Sequence, residues 1–335
     1  MGSQFATSDE LALSGRRSVH VSLPWASIVE PPDHEVGLTW ARRSVDWGLS
    51  SLRRRAQHIV AGLKVMWEGR QAEAIIVCHS GMDVIVAGLA HRLLLRKRRL
   101  TAVDFLLPPK TPRRLVRIAL GGVNEFITIR TGDIRVLVGL GVPEGHCRFV
   151  PYAAPPLEPQ NQVTAGDYVY SGGSSQRDWV TLADALARCD IPSVISCPVP
   201  EQEFPKSARS LGLVKPEIGR EYLEKSRFLV QSIIDNDQPS GPLLILDAFS
   251  LGKPVVASNV SGTRDYVEHD VNGVLVPPGD ADALAVAISS LYEDHQRIDR
   301  LSIGARETAS SLTSRRFWNG VLGTHLRGQG ESVGT

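Results

Sequence analysis

The chain has 335 residues, of which 42% are hydrophobic and 22% are charged, and its formal net charge is +1. This length suggests two domains, and the balanced charge gives no global indication of a nucleic-acid partner. Four scattered cysteines without a CxxC pair favour a reducing compartment over a disulfide framework. The opening residues lack the apolar core of a signal peptide, and no apolar run reaches the ~18–20 residues that span a bilayer. We therefore expect a soluble cytoplasmic protein.

The first half of the chain alternates between strand and helix patterns. Residues 1–17 are interpreted as a polar leader, residues 18–23 as the first strand, and residues 39–68 as a basic amphipathic helix. The apolar run 72–81, which ends in His, Ser and Gly, is typical of a buried parallel strand. The remaining elements of this half are a predicted helix over 82–97 and predicted strands over 100–107, 123–130 and 147–151.

A proline-rich stretch separates the two halves. We place a linker at 156–162, between a domain over 18–155 and a domain over 163–312. After the linker the alternation restarts, with strands predicted over 167–173, 192–196, 226–234 and 273–277 and helices over 179–189 and 281–294. A last helix over 313–328 is expected to cross back to the first domain. Because strands alternate with helices, the sequence predicts two Rossmann-like α/β domains, each with a doubly wound parallel sheet, facing a cleft.

The stretch PSGPLLILDAFSLGKPVVAS (239–258) places one acid, Asp247, in an otherwise apolar helical pattern. Ser240 is the predicted N-cap, and Gly241 and Pro242 fall in the first turn. Asp247 follows Ser240 by two helical turns and lies on the same face. The positive helix N-terminus suits a diphosphate, and a carboxylate two turns on can accept hydrogen bonds from both ribose hydroxyls. The alternative is that Asp247 is the one solvent-facing residue of a mostly buried helix.

Residues 239–288 resemble the donor-binding half of GT-B glycosyltransferases, in particular the large retaining family 4 group. The pattern of that group is a Glu-Gly-Phe-Gly start, a second Glu seven residues after the first, a Gly-Lys-Pro-Val-Val strand, a glycine-rich turn and a Gly-Leu-Leu-Val-Pro-Pro-Gly-Asp tail. Over the rest of the chain the match is weaker but in order. The resemblance implies a GT-B fold and transfer of a sugar from a nucleotide-sugar donor to a glycan or lipid-linked saccharide acceptor, with retention and without a metal.

The same resemblance implies roles for individual residues. The acid that holds the donor ribose falls on Asp247, and the strand that ends in His79 is expected at the mouth of the cleft. The first acid of the family's pair falls on Pro239, a departure for which Asp235 or Asp237 is a substitute at a different spacing. The donor-binding set implied for this chain is Gly172, Gly173, Arg177, Ser240, Gly241, Pro242, Leu243, Asp247, Ser261, Gly262 and Thr263.

Four side chains, two of them already named, are candidates for a direct part in the reaction. Arg177 follows a strand that ends in two glycines, and its guanidinium can bind a diphosphate bidentately, although a solvated loop arginine is the alternative. His79 follows an apolar strand and contacts the sugar or shuttles a proton; the alternative is a structural histidine. Asp83 and Asp104 stand beside predicted strand ends, and either is a candidate general base if the enzyme inverts.

Two segments raise the question of other ligands. Residues 233–238 contain an Asp-x-Asp, which chelates a metal in the other main glycosyltransferase fold; we expect no metal, because the motif adjoins a GT-B-like helix that needs none. Residues 92–117 hold nine Lys or Arg against one Asp, interleaved with leucine. They lie on an anionic membrane, at the inner face of the plasma membrane, or form a charged helix end and a solvated loop. Nucleic acid is not expected, because aromatic side chains for base stacking are missing there.

Two other functions fit the same residues. A catalytically weak GT-B-like partner or scaffold subunit is indicated by Pro239 and by a short N-terminal half. A nucleotide-sugar epimerase on the same fold is the second, and it acts without an acceptor. Turnover of the sugar nucleotide without acceptor distinguishes the epimerase, and nucleotide binding without turnover distinguishes the scaffold.

Overall fold

The computed structural model describes residues 19–24, 38–43, 51–78, 81–94, 98–108, 111–157, 166–198, 203–236 and 240–326. The chain divides into two compact units. Unit 1 comprises Met1–Ile129, Ile134–Val150 and Ser314–Thr335, and unit 2 comprises Arg130–Asp133 and Pro151–Thr313. The predicted leader and residues 158–162 of the predicted linker lie outside the described residues.

Unit 1 is built on a sheet of six parallel strands. The strands are β1 Val19–Pro24, β2 Leu38–Arg43, β3 Ala74–Cys78, β4 Arg99–Val103, β5 Glu125–Thr128 and β6 Cys147–Phe149, in the spatial order β2-β1-β3-β4-β5-β6. The helices are α1 Ser51–Glu68, α2 Met82–Leu94, α3 Arg113–Leu120 and α4 Gly132–Gly139, of which α4 belongs to unit 1 from Ile134 on. All five residues of β3 are buried, as its continuous apolar sequence predicts for a strand that is covered on both faces.

The helix predicted over 39–68 is wrong at its start. Residues Leu38–Arg43 form β2, which pairs in parallel with β1, and the helix α1 begins only at Ser51. The arginines of this stretch continue the basic pattern of the helix and so concealed the boundary. Thr39 and Trp40 are residue types that favour strands. The pairing with β1 then stabilises the strand, and the local sequence does not show this pairing.

Unit 2 contains a second parallel sheet of six strands. The strands are β7 Val169–Gly172, β8 Ser193–Ser196, β9 Ala208–Ser210, β10 Leu229–Gln231, β11 Val255–Ser258 and β12 Gly273–Val276, in the order β12-β11-β10-β7-β8-β9. The helices are α5 Trp179–Cys189, α6 Pro216–Lys225, α7 Pro242–Ser250, α8 Ser261–Arg264, α9 Ala281–Glu293 and α10 His295–Ser311. The chain ends its described part with α11 Ser314–Leu326, which belongs to unit 1. Two parallel sheets with interleaved helices confirm the predicted α/β class.

Side chains fix the starts of several helices in unit 2. Asp280 accepts a hydrogen bond from the amide of Ala283 at 2.9 Å and caps α9. Asp178 caps α5 in the same way through the amide of Thr181 at 3.0 Å. Such caps satisfy an amide that has no partner inside the helix.

A buried lysine lies at the amino end of β11. Lys253 donates from Nζ to the carbonyl oxygen of Ser226 at 2.7 Å, and burial lowers the pKa of its amine to about 8. Burial disfavours the charged form, which is the direction expected for an amine in an apolar interior. None of the described helices combines the length and the apolar character that a bilayer-spanning segment requires.

Candidate functional site

Three segments that follow neighbouring strands meet at the carboxyl edge of the unit 2 sheet. They come after β7, β10 and β11, which lie side by side in the sheet. The amide of Asp178 donates to the carbonyl oxygen of Ser232 at 3.0 Å, and the amide of Ile234 donates to the backbone carbonyl oxygen of Gln176 at 3.0 Å. The hydroxyl of Ser258, at the end of β11, accepts from the amide of Ile233 at 3.0 Å. These bonds hold the three segments together at the edge where ligands of open α/β sheets bind.

Helix α7 begins one residue later than predicted. Gly241 is the N-cap with φ of +114°, a conformation that favours glycine, and Pro242 is the first helical residue. Ser240 is therefore not the cap, and its hydroxyl donates to the carbonyl oxygen of Ser175 at 3.0 Å. Since no side chain caps the helix, the first amides after Pro242, those of Leu243 and Leu244, have no capping partner among the described side chains.

The predicted phosphate ligand Arg177 lies beside this helix start. Its Nε donates to the carbonyl oxygen of Gly172 at 2.8 Å, and its Nη1 donates to Ser175 at 2.8 Å and reaches Ser240 Oγ at 3.5 Å. Burial lowers the pKa of the guanidinium to about 10, so it stays charged at neutral pH. Among the residues that the structure describes, no carboxylate forms an ion pair with it.

Glycine is required beneath this guanidinium. Gly173 has φ of +101°, and a Cβ at this residue would lie 2.5 Å from Nη2 of Arg177. The structure thus brings together Gly172, Gly173, Arg177, Ser240 and Gly241, five of the predicted donor-binding residues.

The turn after β11 packs directly on the start of α7. A Cβ at Gly262 would lie 2.3 Å from the carbonyl oxygen of Ser240, so only glycine allows this approach. Ser261 begins the short helix α8, and the amide of Val260 donates to the hydroxyl of Thr263 at 3.2 Å. The single hydrogen of the same hydroxyl is shared between the carbonyl oxygens of Ser258 and Val260. Thr263 therefore fixes the shape of the turn with its hydroxyl.

Asp247 is partly exposed and has an ionic partner that the sequence did not indicate. Arg220, on α6, donates from Nη1 to Asp247 Oδ1 at 3.1 Å. Burial raises the pKa of the Asp247 carboxyl above its ordinary value, and the charge of Arg220 acts in the opposite direction. The alternative that Asp247 is the one solvent-facing residue of the helix is wrong, because Leu243 in the first turn is half exposed.

Two of the predicted catalytic candidates, Asp83 and Asp104, lie in the described part of unit 1. Asp83 lies in the first turn of α2, where its buried carboxylate is 2.6 Å from Nδ1 of His58. Asp104 follows β4 and is buried, with φ of +53°. His79 lies outside the described residues, as do Asp237 and Pro239. Asp235 is described and exposed, and the described part of the chain contains no group of three His, Cys, Asp or Glu side chains arranged to hold a metal ion.

Comparisons with known sequences match part of the chain. Residues 200–294 match the model of the family described as glycosyl transferases group 1. The amylovoran biosynthesis glycosyltransferase AmsK of Erwinia amylovora is 28% identical over 120 residues, which is 35% of this chain and 30% of that protein. A D-inositol 3-phosphate glycosyltransferase of Xylanimonas cellulosilytica is 44% identical over 75 residues, which is 22% of this chain and 17% of that protein. The matches thus span less than a third of either relative.

Solved structures match over a much larger part of the chain. HepE of Anabaena in complex with UDP is 17% identical with a TM-score of 0.65, and the match covers 92% of this chain and 99% of HepE. A structure of HepE with UDP and glucose is 16% identical with a TM-score of 0.64, covering 91% of this chain and 98% of HepE. At this identity the likeness shows the fold, and it confirms the predicted GT-B fold. The family match over 200–294 confirms the coarser resemblance of residues 239–288 to GT-B glycosyltransferases.

Proposed function

We propose that this chain, a GT-B protein with a group 1 glycosyl transferase segment, transfers a sugar from a nucleotide-sugar donor to a glycan or lipid-linked saccharide acceptor in polysaccharide biosynthesis. The observation that carries the proposal is the Arg177 guanidinium beside the start of α7. Because no carboxylate of the described residues pairs with it, this charge is available to an anion. A nucleotide sugar brings the diphosphate that such a site suits, and the related fold of HepE holds UDP.

The arrangement assists the departure of the diphosphate. As the bond to the sugar breaks, negative charge develops on the leaving oxygen. Arg177, held by two carbonyl oxygens, and the amides at the start of α7 are oriented before the reaction and stabilise that charge. Oriented charges of this kind are usually the largest single contribution to catalysis. Because they supply the positive charge that a metal supplies in other enzymes, we propose that the transfer needs no metal.

The ribose is assigned to Asp247. In its ionised form the carboxylate accepts hydrogen bonds from two neighbouring hydroxyls, and Arg220 favours that form. We further propose retention of the anomeric configuration, which follows from the family resemblance. Because proline stands at position 239, residues other than this one contact the donor sugar. We propose that His79 transfers the proton.

Isothermal titration with UDP, GDP, ADP, CMP and dTDP, with and without EDTA, tests the donor site. We expect one diphosphate to bind in both conditions. Arg177→Met is expected to lower the affinity for that nucleoside diphosphate by about tenfold to a hundredfold, in line with a charged hydrogen bond of about 1.5–3 kcal/mol. The affinity for the corresponding nucleoside is expected to stay unchanged. Arg188→Met is the matched control, because Arg188 pairs with Asp282 on another surface of unit 2. Equal losses for the nucleoside and the diphosphate would remove the assigned role of Arg177.

The transfer itself is tested with sugar derivatives of the nucleotide that binds, as donors, and with saccharides or lipid-linked saccharides as acceptors. We expect nucleoside diphosphate release that depends on the acceptor, with a new glycosidic bond whose configuration is read by NMR. Release of an isomerised sugar nucleotide without acceptor would replace the proposal by the epimerase. Binding without any turnover would replace it by the scaffold subunit.

A further inference from the structure

Large apolar side chains are exposed where the helices of unit 1 end. Trp67 near the end of α1 is 67% exposed, Leu93 and Leu94 at the end of α2 are 78% and 77% exposed, and Ile118 near the end of α3 is 52% exposed. Each of these helices leads into the amino end of the next strand, and α2 packs between α1 and α3. The four side chains therefore lie at one edge of the sheet. Together with Arg70, Arg92, Arg99 and Arg117, which are also exposed, we call them the amino-edge surface.

The charge of this part of the chain is strongly positive. Residues 51–125 contain 14 Lys or Arg and 5 Asp or Glu, whereas the rest of the chain has more acids than bases. Asp83 and Asp104 are buried, and Glu68 and Glu125 are engaged in ion pairs. Among the described residues of the range 51–125, Glu73 is the acid that is exposed. The near-zero net charge of the whole chain thus conceals a basic surface.

The apolar and basic groups are interleaved on the amino-edge surface. The guanidinium carbon of Arg70 lies 4.2 Å from the centroid of the Trp67 ring, and Leu93 and Leu94 follow Arg92 directly. Tryptophan favours the interface between water and acyl chains, and arginine keeps its charge at the headgroups while its stem covers apolar surface. Two copies of this surface facing each other would bring like charges together, which disfavours self-association.

A recess opens at the same edge. A cavity of about 380 Å³ lies between the ends of α2 and α3 and is lined by His91, Arg92, Gly121, Gly122 and Asn124. His91 forms hydrogen bonds with the carbonyl oxygens of Gly122 at 2.6 Å and Arg98 at 2.8 Å and so fixes its far wall. Arg92 places a cation at the lining. The size and the positive side chain suit a phosphate-bearing headgroup.

We infer that the amino-edge surface docks the chain on an anionic lipid bilayer. Apolar side chains enter the acyl boundary while the surrounding arginines bind the negative headgroups, a combination in which each component alone binds weakly. This edge is opposite to the carboxyl ends of the unit 1 strands, so docking leaves those ends uncovered. The inference does not depend on the donor site, because it concerns lipid and no nucleotide.

Sedimentation with vesicles tests the inference. We expect the full chain to sediment with vesicles that contain phosphatidylglycerol and not with phosphatidylcholine alone, and to be released by added salt. The double variant Trp67→Ser/Leu94→Ser is expected to lose at least tenfold in vesicle affinity. Val286→Ser/Ile303→Ser, at comparably exposed residues of unit 2, is the matched control and is expected to bind as the unaltered chain does.

A second measurement reports the position of one side chain. Brominated phosphatidylglycerol is expected to quench part of the tryptophan fluorescence, and Trp67→Phe to abolish that part. The inference would be overturned if the double variant sedimented as the unaltered chain does. It would also be overturned if the unaltered chain bound neutral and anionic vesicles equally. A dimer by light scattering that Trp67→Ser/Leu94→Ser dissociates would overturn it as well, because the occupant would then be a second copy. An unchanged unfolding midpoint of the double variant shows that lost binding does not come from lost fold.

Discussion

The carboxyl edge of the unit 2 sheet and the amino-edge surface of unit 1 both present positive charge, but they are built in opposite ways. In unit 2 one guanidinium, that of Arg177, is partly buried and held by two carbonyl oxygens over a glycine. In unit 1 several exposed arginines stand among exposed leucine and tryptophan side chains. A fixed and desolvated charge recognises one anion in one geometry, whereas exposed and screened charges add up over a surface. Single substitutions should therefore act strongly in unit 2 and weakly in unit 1.

The largest combined effect on stability and nucleotide affinity is expected for Gly262→Ala. The new Cβ would lie 2.3 Å from the carbonyl oxygen and 3.0 Å from the amide nitrogen of Ser240, and both are backbone atoms that must shift. Forced packing of this kind costs about 1–3 kcal/mol of unfolding free energy. Nucleotide affinity should fall by about tenfold or more, because the start of α7 moves with Ser240.

Urea unfolding and isothermal titration measure the two effects of this change. Gly145→Ala is the control, since no atom lies within 4 Å of the Cβ that it adds. Unaltered nucleotide affinity in Gly262→Ala would show that the turn after β11 does not shape the site.

A smaller effect is expected for Arg220→Met, and it appears in the pH dependence. Burial holds the pKa of Asp247 above its ordinary value, and Arg220 pulls it down. Only the ionised carboxylate accepts hydrogen bonds from both ribose hydroxyls, so nucleotide affinity falls as the pH drops through this pKa. Without Arg220 the pKa of Asp247 rises further, and the fall should begin at a higher pH.

Titrations over a pH series in both chains measure this shift. Asp247→Asn serves as the control, because the asparagine side chain cannot ionise. Its nucleotide affinity should be about tenfold lower than that of the unaltered chain and should lack the pH-dependent fall. Identical profiles for Arg220→Met and the unaltered chain would mean that the ion pair has no influence on ribose binding.

The smallest effect on stability is expected at the amino-edge surface. Leu94→Ala should change the unfolding free energy by less than about 0.5 kcal/mol, as is usual for exposed positions. Leu246→Ala, at a buried leucine of α7, should cost about 2–5 kcal/mol. Parallel urea unfolding curves give both values, and a large loss in Leu94→Ala would mean that this leucine supports the fold.

The parts of the fold that follow from neighbouring residues were predictable. Helix α5 over Trp179–Cys189 and the Asp280 cap of α9 depend on an apolar period and on a cap a few residues away, and the sequence displays both. The segment 239–258 likewise contains its own stop at Gly252 and its strand at Val255–Ser258.

The errors arise where a distant partner decides. Ser240 has the composition of an N-cap, but its hydroxyl bonds to Ser175, 65 residues earlier in the chain, and Gly241 takes the capping position. Arg220 stands 27 residues before Asp247 on another helix, and no local pattern links the two. Residues 39–43 join a strand because β1 lies beside them. The candidate site could be located from the sequence, but its charge pairing could not.

The buried amine of Lys253 makes unit 2 suitable for chemical labelling. Burial lowers the pKa of this amine to about 8 while it is enclosed, and once the amine reaches solvent its pKa returns to that of an exposed lysine. Its nitrogen bonds to Ser226 inside the protein, so a reagent reaches it only when the start of β11 separates from the turn before β10. Mass spectrometry of the acylated peptide would therefore report openings at the centre of this unit through a lysine that the chain already contains.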